Sequence, residues 1–182
     1  PQHSYVQAIR NAMPDDGILI SGMTQIGYYS RNRYEVYEPR TYVTSGYYGN
    51  LGYAYPTALG AKVAQPDKAV VAVSGDGGFM FNVQELSTAA KHNINVVLVL
   101  FNDNAYGNVM RDQVNMFDGR EYGAQLNNPD FMKLSEAFGV RAVRVEGGAD
   151  ELESAIREAI KIESPSLIEV PVGPMPNPFR EY

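Results

Sequence analysis

Two short runs, Ala69 to Ser74 (AVVAVS) and Val96 to Phe101 (VVLVLF), are apolar along nearly their whole length. A strand with one wet face would alternate polar and apolar residues. These do not, so they belong inside a parallel sheet covered by helices on both faces. Each run stops abruptly, the first at Gly75-Asp76-Gly77-Gly78 and the second at Asn102-Asp103-Asn104.

The rest of the chain supplies the alternation such a sheet needs. Helices are expected over Ser4 to Met13, from Pro56 to about Ala64, and over Asn82 to His92, Pro129 to Phe138 and Asp150 to Ile162. Gly139 closes the fourth of these, and Pro56 reads as a first-turn proline. Further strands are expected at Gly17 to Ser21, Thr41 to Thr44, Arg141 to Val145 and Ser166 to Val170. Between Tyr28 and Tyr55 lie nine of the thirteen tyrosines, read as loop around one short strand and as aromatic packing at a subunit interface. A polar stretch runs on to Asn128. The tail from Pro171 to Tyr182 holds Pro171, Pro174, Pro176 and Pro178 and is expected to lie extended over a surface. Together these give five or six strands in a doubly wound, mostly parallel α/β fold with helices on both faces.

Composition narrows the chemistry. At 182 residues and 45% hydrophobic, residues 1–182 suit one domain, which would bury roughly 70% of its unfolded surface. With no cysteine and only His3 and His92, thiolate chemistry and multi-histidine metal sites are excluded. A net charge of −6 without any Lys/Arg run argues against nucleic acid or anionic membrane as partner. No apolar stretch approaches the roughly 20 residues of a membrane span, and no signal-peptide pattern is visible, so the expected location is cytoplasmic. The chain starts at Pro1 rather than Met, which fits a piece or a subunit of something larger.

In open α/β sheets, ligands sit beyond the carboxyl ends of the strands. Two strand ends here carry a carboxylate, and 103 − 76 = 27 residues separate them, room for a turn, a helix and a return strand. Glycines at 75, 77 and 78 let the backbone approach an anion closely, and the helix from Asn82 would point its positive end at the same place. Two carboxylates facing a phosphate across a hard cation is how Mg²⁺ is held with few protein ligands. Either motif alone is as readily a tight turn or a capping Asp. The pair at this spacing favours Mg²⁺ with a diphosphate. Met80 stands where the last glycine of GxGxxG belongs, and neither a GxSxG elbow nor a P-loop is present.

The segment GDGGFMFNVQELSTAAKHNINVVLVLFNDNAYGNV resembles the metal and diphosphate signature of thiamine-diphosphate-dependent enzymes, in particular the acetolactate synthase, pyruvate oxidase and benzoylformate decarboxylase group. SGYYGNLGYAYPTALGAK and SGMTQ are similar to two further segments of that family. Residues from about 5 to 172 follow its C-terminal cofactor-binding domain. The resemblance implies thiamine diphosphate and Mg²⁺ as cofactors, with Asp76, Asp103 and the carbonyl of Ala105 as metal ligands. It places Met23, Thr24, Gln25, Gly75, Gly77 and Gly78 around the diphosphate, Tyr106 and Gly107 beside them, Leu51 as the wedge under the cofactor, and the Gly49 carbonyl at its 4′-amino group. Met110, Arg111 and Gln113 fall in the segment that borders substrate in the family.

Three departures accompany the resemblance. Asp103 stands where the family usually has Asn. Asp112 stands where acetolactate synthases carry a substrate-facing tryptophan, and the chain has no Trp. No motif resembles the pyrimidine-binding domain, whose glutamate starts catalysis from a second subunit; Glu85 is read as a surface or interface residue. The resemblance therefore implies half of an active site in a 2-keto acid decarboxylase or carboligase, completed by a pyrimidine-binding domain upstream or on a separate subunit, in a homodimer or homotetramer. Other readings are the small subunit of a two-chain sulfopyruvate or phosphonopyruvate type decarboxylase, and a non-catalytic cofactor-binding or interaction domain.

Overall fold

The computed structural model describes residues 1–177. Six strands form one sheet, every neighbouring pair parallel, in the order β2-β1-β3-β4-β6-β5. They are β1 (Ile18–Ser21), β2 (Tyr42–Thr44), β3 (Val70–Gly75), β4 (Val97–Asn102), β5 (Arg141–Arg144) and β6 (Ser166–Pro171). The helices are α1 (Gln2–Ala12), α2 (Gln25–Arg33), α3 (Ala54–Ala64), α4 (Asp76–Phe79), α5 (Glu85–His92), α6 (Gly107–Met116), α7 (Phe131–Ala137) and α8 (Ala149–Ile162).

The two apolar runs are the central strands β3 and β4, and their residues alternate between two cores. Val71, Val73, Val97 and Val99 pack with Val6 and Ile9 of α1, Ile26 of α2 and Leu152 and Ile156 of α8. Val70, Ala72, Leu98 and Leu100 pack with Ala58 of α3, Leu86 of α5 and Phe131 of α7. Burial on both faces explains why neither run needed a polar side. Phe79 closes the second core from above, edge-on to Tyr55 at 5.7 Å and 6.2 Å from Phe131.

Four details differ from the sequence reading. Residues 25–33 form α2, although the stretch from Tyr28 was expected as loop; the helix approaches the sheet through Gly27, where a Cβ would collide with the Gly22 carbonyl. That contact is made by backbone and leaves no hydrophobic periodicity to read. Gly75 to Gly78 is not a plain turn, because Asp76 to Phe79 form the single helical turn α4, and α5 begins only at Glu85. Within the polar stretch lies α6, none of whose residues is buried. Finally, Pro171 belongs to β6, beyond the last β5–β6 pair, Arg144 and Glu169, where its missing N–H falls outside the paired residues of β5.

The tyrosines of the 28–55 stretch divide. Tyr34 and Tyr42 stack at 5.5 Å beneath Arg10, and Tyr55 is buried, while Tyr47 and Tyr48 stand free in solvent. Residues 172–177 run without regular structure, with Met175 packed on the first core and Gln2 donating to the Pro176 carbonyl at 2.7 Å. Pro178 to Tyr182 lie outside the described residues. Among the described residues no helix is long and apolar enough to cross a membrane.

Candidate cofactor site

The chain leaves β1 for β2 on one side and returns to β3 on the other, so the connections diverge between β1 and β3. This is the switch point at which open α/β sheets leave a crevice. A cleft of about 190 Å³ opens there, at the carboxyl ends of β1, β3 and β4. Met23, Thr24 and Gln25 line it from β1; Gly75, Asp76, Gly77 and Gly78 from β3; Asp103, Ala105, Tyr106 and Gly107 from β4; and Gly49 and Leu51 from the loop before α3. All thirteen residues that the resemblance places at the cofactor or its metal thus line one cleft. Tyr28, Asn108 and Val109 complete the lining.

At Gly77 and Gly107 a side chain would force a neighbour to move, and at Gly75 it would be tight. A Cβ at Gly77 would stand 2.5 Å from the Tyr106 ring, one at Gly107 would overlap the Asp103 carboxylate, and one at Gly75 would stand 3.1 Å from Thr24 Oγ1. Gly49 has φ of +59°, the left-handed region where a side chain is strained. The loop after β4 is pinned by a bridge between Ala105 and Gln125, with Tyr106 N–H donating to the Ala124 carbonyl at 2.8 Å.

Asp76 is 2% exposed, and its carboxyl group is close enough to Asp103 to share a hydrogen bond. Burial, and next the charge of Asp76, raise Asp103 to about 6. Burial raises Asp76 too, against hydrogen bonds from Asn128 and the Gly77 N–H that favour its charged form. Two carboxylates forced together away from water suit a divalent cation, whose charge would reverse both shifts. The donors are hard oxygens, as Mg²⁺ requires. Among the described residues no group of three or more His, Cys, Asp or Glu could hold a metal, so a cation here would complete its shell with the Ala105 carbonyl, cofactor oxygens and water. The donor set and the glycine-lined wall fit a cation-bound diphosphate.

Several residues near the cleft escaped the sequence reading. Asn128 donates from Nδ2 to Asp76 Oδ2 at 2.6 Å, to Asn102 Oδ1 at 3.0 Å and to Asn104 Oδ1 at 3.3 Å. It comes from the loop before α7, 52 residues after Asp76, and carries no local signal. Asn104 holds a left-handed φ of +56°, with its N–H on Asn102 Oδ1 at 3.1 Å. Arg111, by contrast, was already placed in the substrate-bordering segment by the resemblance; on α6 it donates to Gln25 Oε1 at 2.7 Å and to Asn108, and its Nε is buried without a partner. Asp112 follows it on the same helix, and none of Met110, Arg111 and Gln113 lines the cleft itself.

The fold and cleft define an α/β cofactor-binding domain. Residues 22–170 match the family described as thiamine pyrophosphate enzyme, C-terminal TPP binding domain, and the chain belongs to it. It is 36% identical over 158 residues to a probable acetolactate synthase large subunit of Methanococcus aeolicus, covering 86% of this chain and 26% of that protein. To the acetolactate synthase of Bacillus subtilis it is 34% identical over 167 residues, 92% of this chain and 29% of the relative. The structure of a thiamine diphosphate-dependent 4-hydroxybenzoylformate decarboxylase of Rhodococcus jostii RHA1 superposes with a TM-score of 0.85 at 28% identity, over 94% of this chain and 32% of that one. The chain therefore spans between a quarter and a third of the length of these relatives.

Proposed function

We propose that the chain holds the diphosphate of thiamine diphosphate through Mg²⁺, as the cofactor-binding part of an enzyme that decarboxylates or carboligates 2-keto acids. The observation that carries this reading is the meeting of Asp76 and Asp103 in a glycine-walled cleft at the switch point of the sheet. Asp76, Asp103 and the Ala105 carbonyl would hold the cation. Gly75, Gly77, Gly78, Met23, Thr24 and Gln25 would surround the diphosphate, with Tyr106 and Gly107 as the far wall. Leu51 would support the bent cofactor and the Gly49 carbonyl would accept from its amino group. When bound, thiamine diphosphate supplies the electron sink that lets CO₂ leave a 2-keto acid.

The residues of the chain position and neutralise, and they do not start the proton transfer. Among the described residues only Asp76 and Asp103 bring carboxylates to the cleft, and both would be committed to the cation. The glutamate that acts on the cofactor ring would come from a pyrimidine-binding domain, upstream or on a second subunit, in a homodimeric or homotetrameric enzyme. The names of the relatives support acetolactate chemistry. Asp112 in place of the tryptophan supports a different acceptor or product.

Calorimetry tests the reading. Thiamine diphosphate with Mg²⁺ is expected to bind saturably, whereas NAD with Mg²⁺ is not. Binding of NAD, or none of thiamine diphosphate, would overturn it. Turnover of a 2-keto acid by the isolated chain would contradict the assignment of the proton-transfer group to another domain.

A further inference from the structure

Glu169 is a carboxylate placed on a central strand, 2% exposed, on the same face as Leu167 and the second core. A buried charge is costly unless it is paired. Arg144 Nε donates to its Oε2 at 2.8 Å, and Asn102 Nδ2 donates to its Oε1 at 2.8 Å. Both oxygens of Glu169 are therefore acceptors, and the Asn102 amide must turn its NH₂ toward them. Its Oδ1 is thereby aimed at the loop after β4, where it accepts from the Asn104 N–H at 3.1 Å and from Asn128 Nδ2 at 3.0 Å. Asn128 Nδ2 in turn reaches Asp76 Oδ2 at 2.6 Å.

We propose that Glu169 is a positioning residue: through Asn102 and Asn128 it sets the direction in which Asp76 and the loop from Asn102 to Ala105 present their oxygens to the bound cation. This rests on the reading of Asp76 as a cation ligand. The line has a polarity: Asn102 donates toward Glu169 and accepts on its cleft side, and Asn128 donates to both Asn102 and Asp76, which holds only if Asn102 keeps one orientation. Filling space would not require a carboxylate at this position. Ordering the amides does, because an acceptor on both oxygens leaves Asn102 a single choice.

The substitution E169Q tests this. Its amide must accept from Arg144, so it turns its NH₂ to Asn102. The Asn102 amide then has to flip and face the Asn104 N–H and the Asn128 NH₂ with donors. N102D alone sets two carboxylates against each other. In E169Q/N102D the carboxylate moves one link along and accepts from the new amide, Asn104 and Asn128 together, restoring the polarity at unchanged net charge.

Mg²⁺ is titrated calorimetrically into the full chain with thiamine diphosphate, and the side-chain amide ¹⁵N–¹H resonances of Asn102 and Asn128 are followed in the cofactor-free chain. E169Q is expected to weaken Mg²⁺ binding by about tenfold, as loss of a group that orients a metal ligand does. N102D weakens it as well, and the double variant returns to within about threefold of wild type, the pair being coupled rather than additive. The Asn128 resonances shift in E169Q and return in the double variant. Wild-type-like binding by E169Q, or a double variant no better than either single one, overturns the proposal. Should E169Q fail to fold, the double variant decides: recovered folding and binding support the relay, and an unfolded double variant overturns it. A wild-type chain that takes up no Mg²⁺ overturns the function proposed above, while Asn128 resonances unmoved by E169Q overturn the relay by itself.

Discussion

Asp103 carries a pH consequence close to neutrality. Its folded pKa, raised from 3.8 to about 6, means that the native state holds the proton more tightly than the unfolded chain does. The contribution to stability is then present below the unfolded value and is lost as pH rises through about 6. Asp76 acts in the same direction, whereas Asp130 and Glu153 are lowered and act in the opposite one. In a chelator, D103N is expected to lose much of the fall in unfolding temperature between pH 4 and 7, and to be more stable than wild type at pH 7 and above. Melting curves of both proteins across that range check it, since the contributions of Asp130 and Glu153 cancel in the difference. A second prediction concerns space. G77A places a methyl against the Tyr106 ring and is expected to abolish Mg²⁺-dependent cofactor binding with little change in the circular dichroism of the fold. At this scale the carboxylates were legible, because each ends an apolar strand in a turn-like sequence. Asn128 and Glu169 were not: the first acts across 52 residues of chain, and the second sits inside SLIEV, where its neighbours read simply as strand.

Among the elements, α4 owes its place to Phe79. That ring is 1% exposed and wedged between Tyr55 and Phe131, so the turn bearing Asp76, Gly77 and Gly78 is anchored in the second core. F79A is expected to cost about 3–5 kcal/mol by cavity formation, measured by denaturant unfolding, with a smaller loss for F79L. The opposite case is α6, which buries none of its residues and leaves Val109, Val114 and Met116 exposed. Its amides are expected to exchange far faster than those of β4, whose residues Val97 to Phe101 are all buried; hydrogen-exchange mass spectrometry resolves the two segments. The same contrast explains what the sequence revealed. Elements that bury side chains were readable, β3 and β4 as unbroken apolar runs and α5 and α8 from their periodicity. Those that pack by backbone, as α2 does at Gly27, or that pack hardly at all, as α6 does, offered no pattern to read.

For the molecule as a whole, the parallel sheet and its two covering layers followed from two apolar runs and the helices between them. The order of the strands did not, because nothing local states that β6 enters between β4 and β5. That insertion brings Glu169 and Val172 against Asn102, the latter through its N–H to the Asn102 carbonyl at 2.9 Å. It also sets the time at which the chain can first take its ligand. No two neighbouring strands form a hairpin, so each pairing waits for a crossover to close, and such topologies assemble slowly. The loop after β4 lacks its contacts from Glu169 and Val172 until β6, the last of the six described strands in chain order, has threaded between β4 and β5. Cofactor and Mg²⁺ added during refolding are therefore expected to leave the refolding rate unchanged and to slow unfolding instead, their binding signal growing in only with the slowest phase.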